Sequence, residues 1–325
     1  GTTAQNILGL DVIRADGTHV RLTSPGAPAR PADPDWPELD GPLAYELRAF
    51  TASHEELIRR ELPAWPRRVS GYALDWLLPE RGPDHAKALV GTEGTCAVVA
   101  RAVVRLVRPP AARALLVLGF RDEIEGADAV PALLTAEPYT VESLSAELLA
   151  LAHARAKDVG LPDGGAWLMV EARAQDAAGA RTHARALAAS IGRTLDAPDV
   201  RLIEDPPALA ALWQIREDGA GHSARFADGT RGWPGFEDSA VPPERLGAYL
   251  TELRALLAEH GMQAVSYGHY GEGCIHLRVG FGLGEAGGAS RYARFLSDAA
   301  DLVVRHGGSL SGEHGDGRSR GPLLG

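Results

Sequence analysis

Tyr267-Gly-His-Tyr-Gly-Glu-Gly-Cys-Ile-His-Leu277, joined near the end of the chain by Ser309-Leu-Ser-Gly-Glu-His-Gly-Asp-Gly317, decides how this sequence is read. The two stretches supply His269, His276 and the pair Glu313-His314, all set among glycines. Seven residues separate the histidines. In a helix that spacing is a rise of about 10 Å, too far for one ion, and in an unbroken strand an odd separation sends side chains to opposite faces. Gly268, Gly271 and Gly273 argue instead for a turn in which the chain doubles back and the imidazoles converge. With Glu313 as a carboxylate, His269, His276 and Glu313 form a two-histidine, one-carboxylate set suited to a divalent metal. Zinc fits these ligands, with manganese and iron(II) as alternatives. The plainer reading, two core histidines and a surface glutamate, leaves the flanking glycines without a reason, because glycine weakens a strand unless backbones must approach closely. His314 remains as a candidate base, its unperturbed pKa being suited to proton transfer near neutrality.

The chain has 325 residues, 45% of them hydrophobic and 23% charged, enough for two domains and a large core. A formal net charge of −10 argues against nucleic acid as a partner, since phosphate binding wants a basic surface. Two cysteines, Cys96 and Cys274, build neither a disulfide framework nor an iron–sulfur cluster. No apolar run approaches a membrane span, and Ala114–Phe120 reads as a buried strand. No signal peptide is evident and Gly1 is not a natural first residue, so the chain reads as an internal piece of a longer protein.

Along the chain, Ile7–Ile13 and His19–Leu22 read as strands around the turn Ala15-Asp-Gly17, and Thr23–Gly41 as an irregular loop. Pro42–Leu62 has helical periodicity, with Ser53 as a cap. Val98–Val107 is β-rich and stops at Pro109-Pro110, where the domain boundary is expected. Beyond it the expected strands are Ala114–Phe120, Ala166–Ala172, Val200–Ile203 and His276–Phe281. The expected helices are Thr140–Lys157, Asp176–Thr194, Pro207–Glu217, Pro243–His260 and Ser290–His306. Strands separated by helices on one side of a sheet suit an α+β domain of ferredoxin-like, antiparallel type.

Four ordered motifs carry a family resemblance: Gly1-Thr-Thr-Ala-Gln-Asn-Ile-Leu-Gly-Leu10, Val90-Gly-Thr-Glu-Gly-Thr95, Tyr267–Leu277 and Gly308–Gly317. Together they resemble the C-terminal part of the FAD-linked D-2-hydroxy-acid dehydrogenases (D-lactate and D-2-hydroxyglutarate dehydrogenases, and the glycolate oxidase flavin subunit) on the vanillyl-alcohol-oxidase-like fold. The resemblance implies the end of an FAD-binding α+β domain in residues 1–108, without its pyrophosphate-binding segment. A substrate or cap domain follows in residues 109–325, truncated at its end. The wording Gly315-Asp-Gly-Arg-Ser-Arg320 most resembles large fusions that continue into an iron–sulfur domain.

The implied activity is oxidation of a D-2-hydroxy acid to the 2-oxo acid with hydride passing to flavin N5. By resemblance, His269, His276 and Glu313 hold the metal, and His314 takes the hydroxyl proton. Arg216, in Leu212-Trp-Gln-Ile-Arg-Glu-Asp218, pairs with the substrate carboxylate. The loop Gly91, Thr92, Glu93, Gly94 and Thr95 lies against the flavin with Val98 or Val99 near its ring, Tyr72 upstream, and Asn6 and Gly9 as further contacts. Two positions depart from the pattern: Phe236 stands about where relatives have a lysine, and Arg278 where they have an asparagine, so the positive charge is expected to have moved to Arg278. Implied partners are a small 2-hydroxy acid and an electron acceptor: an iron–sulfur domain or protein, a quinone or an electron-transfer flavoprotein. The implied location is cytoplasmic, either free or peripheral at the inner membrane face. The residues alone also admit a metal-dependent hydrolase using the same His, His and Glu, and a flavin-free, non-catalytic fragment.

Overall fold

A computed structural model of the chain describes residues 2–62, 65, 67–154, 156–195 and 199–324. They divide into two compact units, one of Gly1–Arg108 with Glu313–Gly317 and Leu324, the other of Pro109–Gly312 with Arg318–Leu323.

In the smaller unit a short helix α1 (Thr3–Asn6) leads into β1 (Ile7–Ile13), which turns through Asp16-Gly17 into β2 (His19–Thr23). After α2 (Gly41–Glu61) and α3 (His85–Leu89), β3 (Val98–Val104) pairs on the other side of β1, giving the antiparallel order β2-β1-β3. Ile7, Leu10, Val12, Leu22 and Ala86 form its core. Asp11, fully buried on β1, is held by Arg30 at 2.7 Å and Arg21 at 3.3 Å, so its charge is matched on the spot. Ser53 does not cap α2. Asp40 precedes the first turn, and Ser53 lies well inside the helix, its hydroxyl donating back to the Phe50 carbonyl.

The larger unit is built on six strands in the order β7-β4-β6-β5-β8-β9, every neighbouring pair antiparallel. They are β4 (Ala112–Phe120), β5 (Thr140–Ser145), β6 (Ala166–Ala174), β7 (Val200–Ile203), β8 (Ala264–His269) and β9 (Cys274–Val279). The helices are α4 (Glu123–Leu134), α5 (Ala146–Leu151), α6 (Ala177–Thr194), α7 (Pro206–Glu217), α8 (Gly219–His222), α9 (Leu246–Glu259) and α10 (Gly288–Arg305). This is the antiparallel α+β architecture expected from the sequence. Acidic caps start several helices: Asp122 accepts from the amides of Ile124 and Glu125 to open α4, Asp176 from Gly179 for α6, and Asp205 from Ala208 for α7.

Strand alternation sends side chains to two different cores. Leu116, Leu118, Leu168, Val170, Ile275 and Leu277 face one layer, packed by α4, α6, α9 and α10. Leu115, Val117, Trp167, Met169, Val265 and Tyr267 face the other, where α5 and α7 supply Leu148 and Leu212. Helices therefore lie on both faces of the sheet rather than on one. The expected helix over residues 140–157 is also corrected: its first six residues are the strand β5, and only Ala146–Leu151 is α-helical. β5 is buried on both faces, with Val141 on one and Leu144 on the other, and that spacing of three imitates a helical stripe.

Candidate active site

The site grows from the β8–β9 hairpin. Tyr270–Glu272 makes one tight helical turn and Gly273 takes φ of +70°, which reverses the chain. A Cβ at Gly273 would collide with the Val241 carbonyl oxygen, so only glycine fits. The register pairs Tyr267 with His276 and His269 with Cys274. His269 thus follows Tyr267 by two residues and shares the face on which His276 lies. The imidazole centroids are 5.2 Å apart with ring planes at 80°, and ring nitrogens of the two residues come within 4.8 Å. The convergence expected from the glycines is what the hairpin produces.

A residue that the sequence did not reveal stands behind His269. Glu142, on the neighbouring strand β5 and only 4% exposed, places Oε1 2.8 Å from Nδ1 of His269 and Oε2 2.8 Å from an Nη of Arg216. Thr140 also donates its hydroxyl to Oε1 at 2.7 Å. Burial by itself would raise the Glu142 carboxyl, but the hydrogen bond from His269 and the charge of Arg216 outweigh it and hold the group below its ordinary range. An ionised carboxylate only accepts, so Nδ1 of His269 must donate, and in the neutral ring Nε2 then carries a lone pair. That is the tautomer a metal ligand needs, and the donor chemistry of the pair fits a divalent ion.

Arg216, which the resemblance implies pairs with the substrate carboxylate, is bonded to Glu142 in this structure. Arg216 is 6% exposed, and its guanidinium lies 5.0 Å from the centroid of the Tyr267 ring. Arg278 follows His276 by two residues on the same face of β9 and pairs with Glu237 at 3.1 Å. Phe236 is fully buried, edge-on to Phe295 in the helix-packed core, so its side chain serves that core.

Gly312, the last residue before Glu313, packs tightly on Cys274: a Cβ there would lie 2.7 Å from Sγ. Its amide donates to the Asp238 carbonyl at 2.6 Å, and Ser311 donates its hydroxyl to Asp238 at 2.9 Å. Arg320 binds the same Asp238 carboxylate.

In the smaller unit, Glu313 forms an ion pair with Arg67, and Nε2 of His314 lies 3.5 Å from a Glu313 oxygen with the imidazole 42% exposed. The loop Gly91–Thr95 is tied to this segment. Glu93, itself at φ +53°, accepts from the amides of Asp316 at 2.7 Å and Gly317 at 3.0 Å, while Asp316 accepts from Ser70 and Gly71 at 2.8 Å. Thr92 is buried and donates to the Leu89 carbonyl; Thr95 donates to the Thr92 carbonyl and meets the Tyr72 hydroxyl at 2.8 Å. Glu93 and Thr92 therefore shape the loop. Gly91 and Gly94, with positive φ and open space beside them, and the exposed Tyr72, Val98 and Val99 are the surfaces this unit can offer a planar cofactor. Asn6 donates to the Thr2 carbonyl, and Gly9 is packed against the Leu22 carbonyl.

Comparison with known proteins agrees with this architecture. Residues 109–325 match the family described as FAD linked oxidases, C-terminal domain. The chain is 25% identical over 334 residues to a D-2-hydroxyglutarate dehydrogenase of Pantoea ananatis, covering 98% of this chain and 33% of that protein. It is 29% identical over 236 residues to a D-lactate dehydrogenase of Archaeoglobus fulgidus, covering 70% and 48%. The fold resembles the crystal structure of p-cresol methylhydroxylase with substrate bound, with a TM-score of 0.59, 12% identity, and coverage of 95% of this chain and 58% of that one. The chain spans about a third of the length of the D-2-hydroxyglutarate dehydrogenases it matches. No helix among the described residues is long and apolar enough to cross a membrane. The match over residues 109–325, together with the antiparallel sheet and its histidine hairpin, shows that the chain belongs to the C-terminal domain family of the FAD linked oxidases.

Proposed function

We propose that the chain is part of an FAD-dependent dehydrogenase that oxidises a D-2-hydroxy acid to the 2-oxo acid with the help of a divalent metal. The observation that carries the reading is the His269–His276 pair on one face of the hairpin, with Glu142 fixing the proton of His269. Family membership and the names of the relatives support the flavin and the substrate class, and count against the hydrolase that the metal ligands alone would allow. When bound, the flavin supplies a two-electron acceptor and the metal a Lewis acid for the hydroxyl and carboxylate oxygens of the substrate.

In this reading His269, His276 and Glu313 hold the metal. Glu313 follows directly on Gly312, so peptide geometry keeps its Cα within about 3.8 Å of a residue packed on the hairpin. His314 accepts the hydroxyl proton as the Cα hydrogen leaves as hydride. Arg278 exchanges Glu237 for the substrate carboxylate and so orients Cα. Gly91, Gly94, Tyr72, Val98 and Val99 lie against the flavin. An electron acceptor, whether an iron–sulfur domain or protein, a quinone or an electron-transfer flavoprotein, would complete the reaction.

The test is anaerobic visible absorbance of the flavin-loaded full-length protein titrated with paired D- and L-2-hydroxy acids. Bleaching by a D-acid alone is expected. Bleaching by no hydroxy acid, or by L-acids only, would discard the substrate assignment.

A further inference from the structure

We propose that Glu142, braced by Arg216, is a positioning residue that presents Nε2 of His269 to the metal. The inference rests on the metal reading above and adds to it a residue outside the proposed ligand set. Three features single out Glu142 from an ordinary buried ion pair. First, its two oxygens are divided between different partners, one for the Arg216 guanidinium and one for Nδ1 of His269, each at 2.8 Å. The carboxylate is thus aimed at a ring nitrogen whose protonation decides what the other nitrogen can do. Second, the three groups come from separate elements: Glu142 from β5, His269 from the end of β8, and Arg216 from α7. The β5–β8 pairing at Ser143 and Gly268 sets the approach, because it puts Glu142 and His269, each next to a paired residue, on the same face. Third, the brace is itself held, since Arg216 lies over the Tyr267 ring, and Tyr267 is the cross-strand partner of His276. Both histidines are therefore steadied by one connected set of side chains: His269 through Glu142, His276 through Tyr267.

The experiment has two readouts besides turnover. Long-range proton–nitrogen NMR of the metal-free protein, with His269 assigned through a His269→Gln spectrum, should show the Nδ1-protonated tautomer. An Nε2-protonated ring would overturn the inference without any change at Glu142. Zinc affinity is then measured by competition with a chromophoric chelator for wild type, Glu142→Gln and His276→Ala. Glu142→Gln keeps the shape of the side chain and should weaken zinc binding by about 10- to 100-fold, with Glu142→Asp recovering part of the loss and circular dichroism unchanged. Zinc affinity of Glu142→Gln within about threefold of wild type would overturn the inference while leaving the metal reading intact. If wild type takes up no zinc, manganese or iron(II), metal reading and inference fall together. Should Glu142→Gln not fold, the tautomer of the wild-type ring decides.

Discussion

At the scale of single residues, the ion pair between Glu142 and Arg216 has consequences that a substrate-binding arginine would not have. Both side chains are almost fully buried, and removing one leaves the other without its counter-charge in a poorly polarisable surrounding. Arg216→Met should therefore destabilise the larger unit by about 3–5 kcal/mol in urea unfolding; a change confined to substrate affinity, with stability untouched, would return Arg216 to the role of anchor. The pH dependence has a fixed sign. The carboxyl of Glu142 sits below its ordinary value of 4.5 in the folded state, so its contribution to stability is complete above that value and is lost as pH falls through the lower folded pKa. Wild type should lose stability in acid more steeply than Glu142→Gln, measured as denaturation midpoints below about pH 4.5. His269 and His276 were legible in the sequence because glycines surround them. Glu142 was not, because a glutamate in Thr140-Val-Glu-Ser-Leu-Ser145 looks like any solvated residue until the strand beside it is known.

At the scale of elements, the hairpin and β5 show what local sequence can and cannot reveal. The β8–β9 reversal is written into the chain by Gly273, whose backbone conformation and closeness to the Val241 carbonyl admit no side chain. Gly273→Ala should cost about 1–3 kcal/mol from backbone strain alone and lower metal occupancy along with stability, read by unfolding and elemental analysis. If metal content stays stoichiometric at full stability, the reversal is not what aligns the histidines. α4 was missed for the opposite reason. Pro131 lies inside it and argues locally against a helix, yet Ala127, Val130 and Leu133 are buried against the sheet, and that packing outweighs the lost hydrogen bond. Asp122, which satisfies two amides of its first turn, should then be worth about 0.5–2 kcal/mol on replacement by alanine.

At the scale of the whole molecule, β4, β6, β7 and β9 and helices α6, α7, α9 and α10 followed the sequence pattern, since amphipathic stretches such as α10 and apolar-rich strands such as β4 each bury what they display, whereas β5 was read as helix and α4 and β8 were not foreseen. What no local pattern could convey is that β5 pairs with β8 across more than a hundred residues, and this one pairing brings Glu142 to His269. A metal held there would couple a local site to global stability. An ion that needs His269 and His276 in their hairpin geometry would bind the folded state far more tightly than the unfolded chain and would stabilise it by mass action. The gain is about 2.7 kcal/mol at a free concentration a hundred times the dissociation constant. Chelation should therefore lower the unfolding midpoint of wild type reversibly, and readdition of zinc should restore it. In His276→Ala the midpoint should no longer respond to either treatment. In Glu142→Gln the response should persist but require about 10- to 100-fold more zinc for the same gain. A midpoint equally responsive to chelator in wild type and His276→Ala would place the ion elsewhere and remove the hairpin as its site.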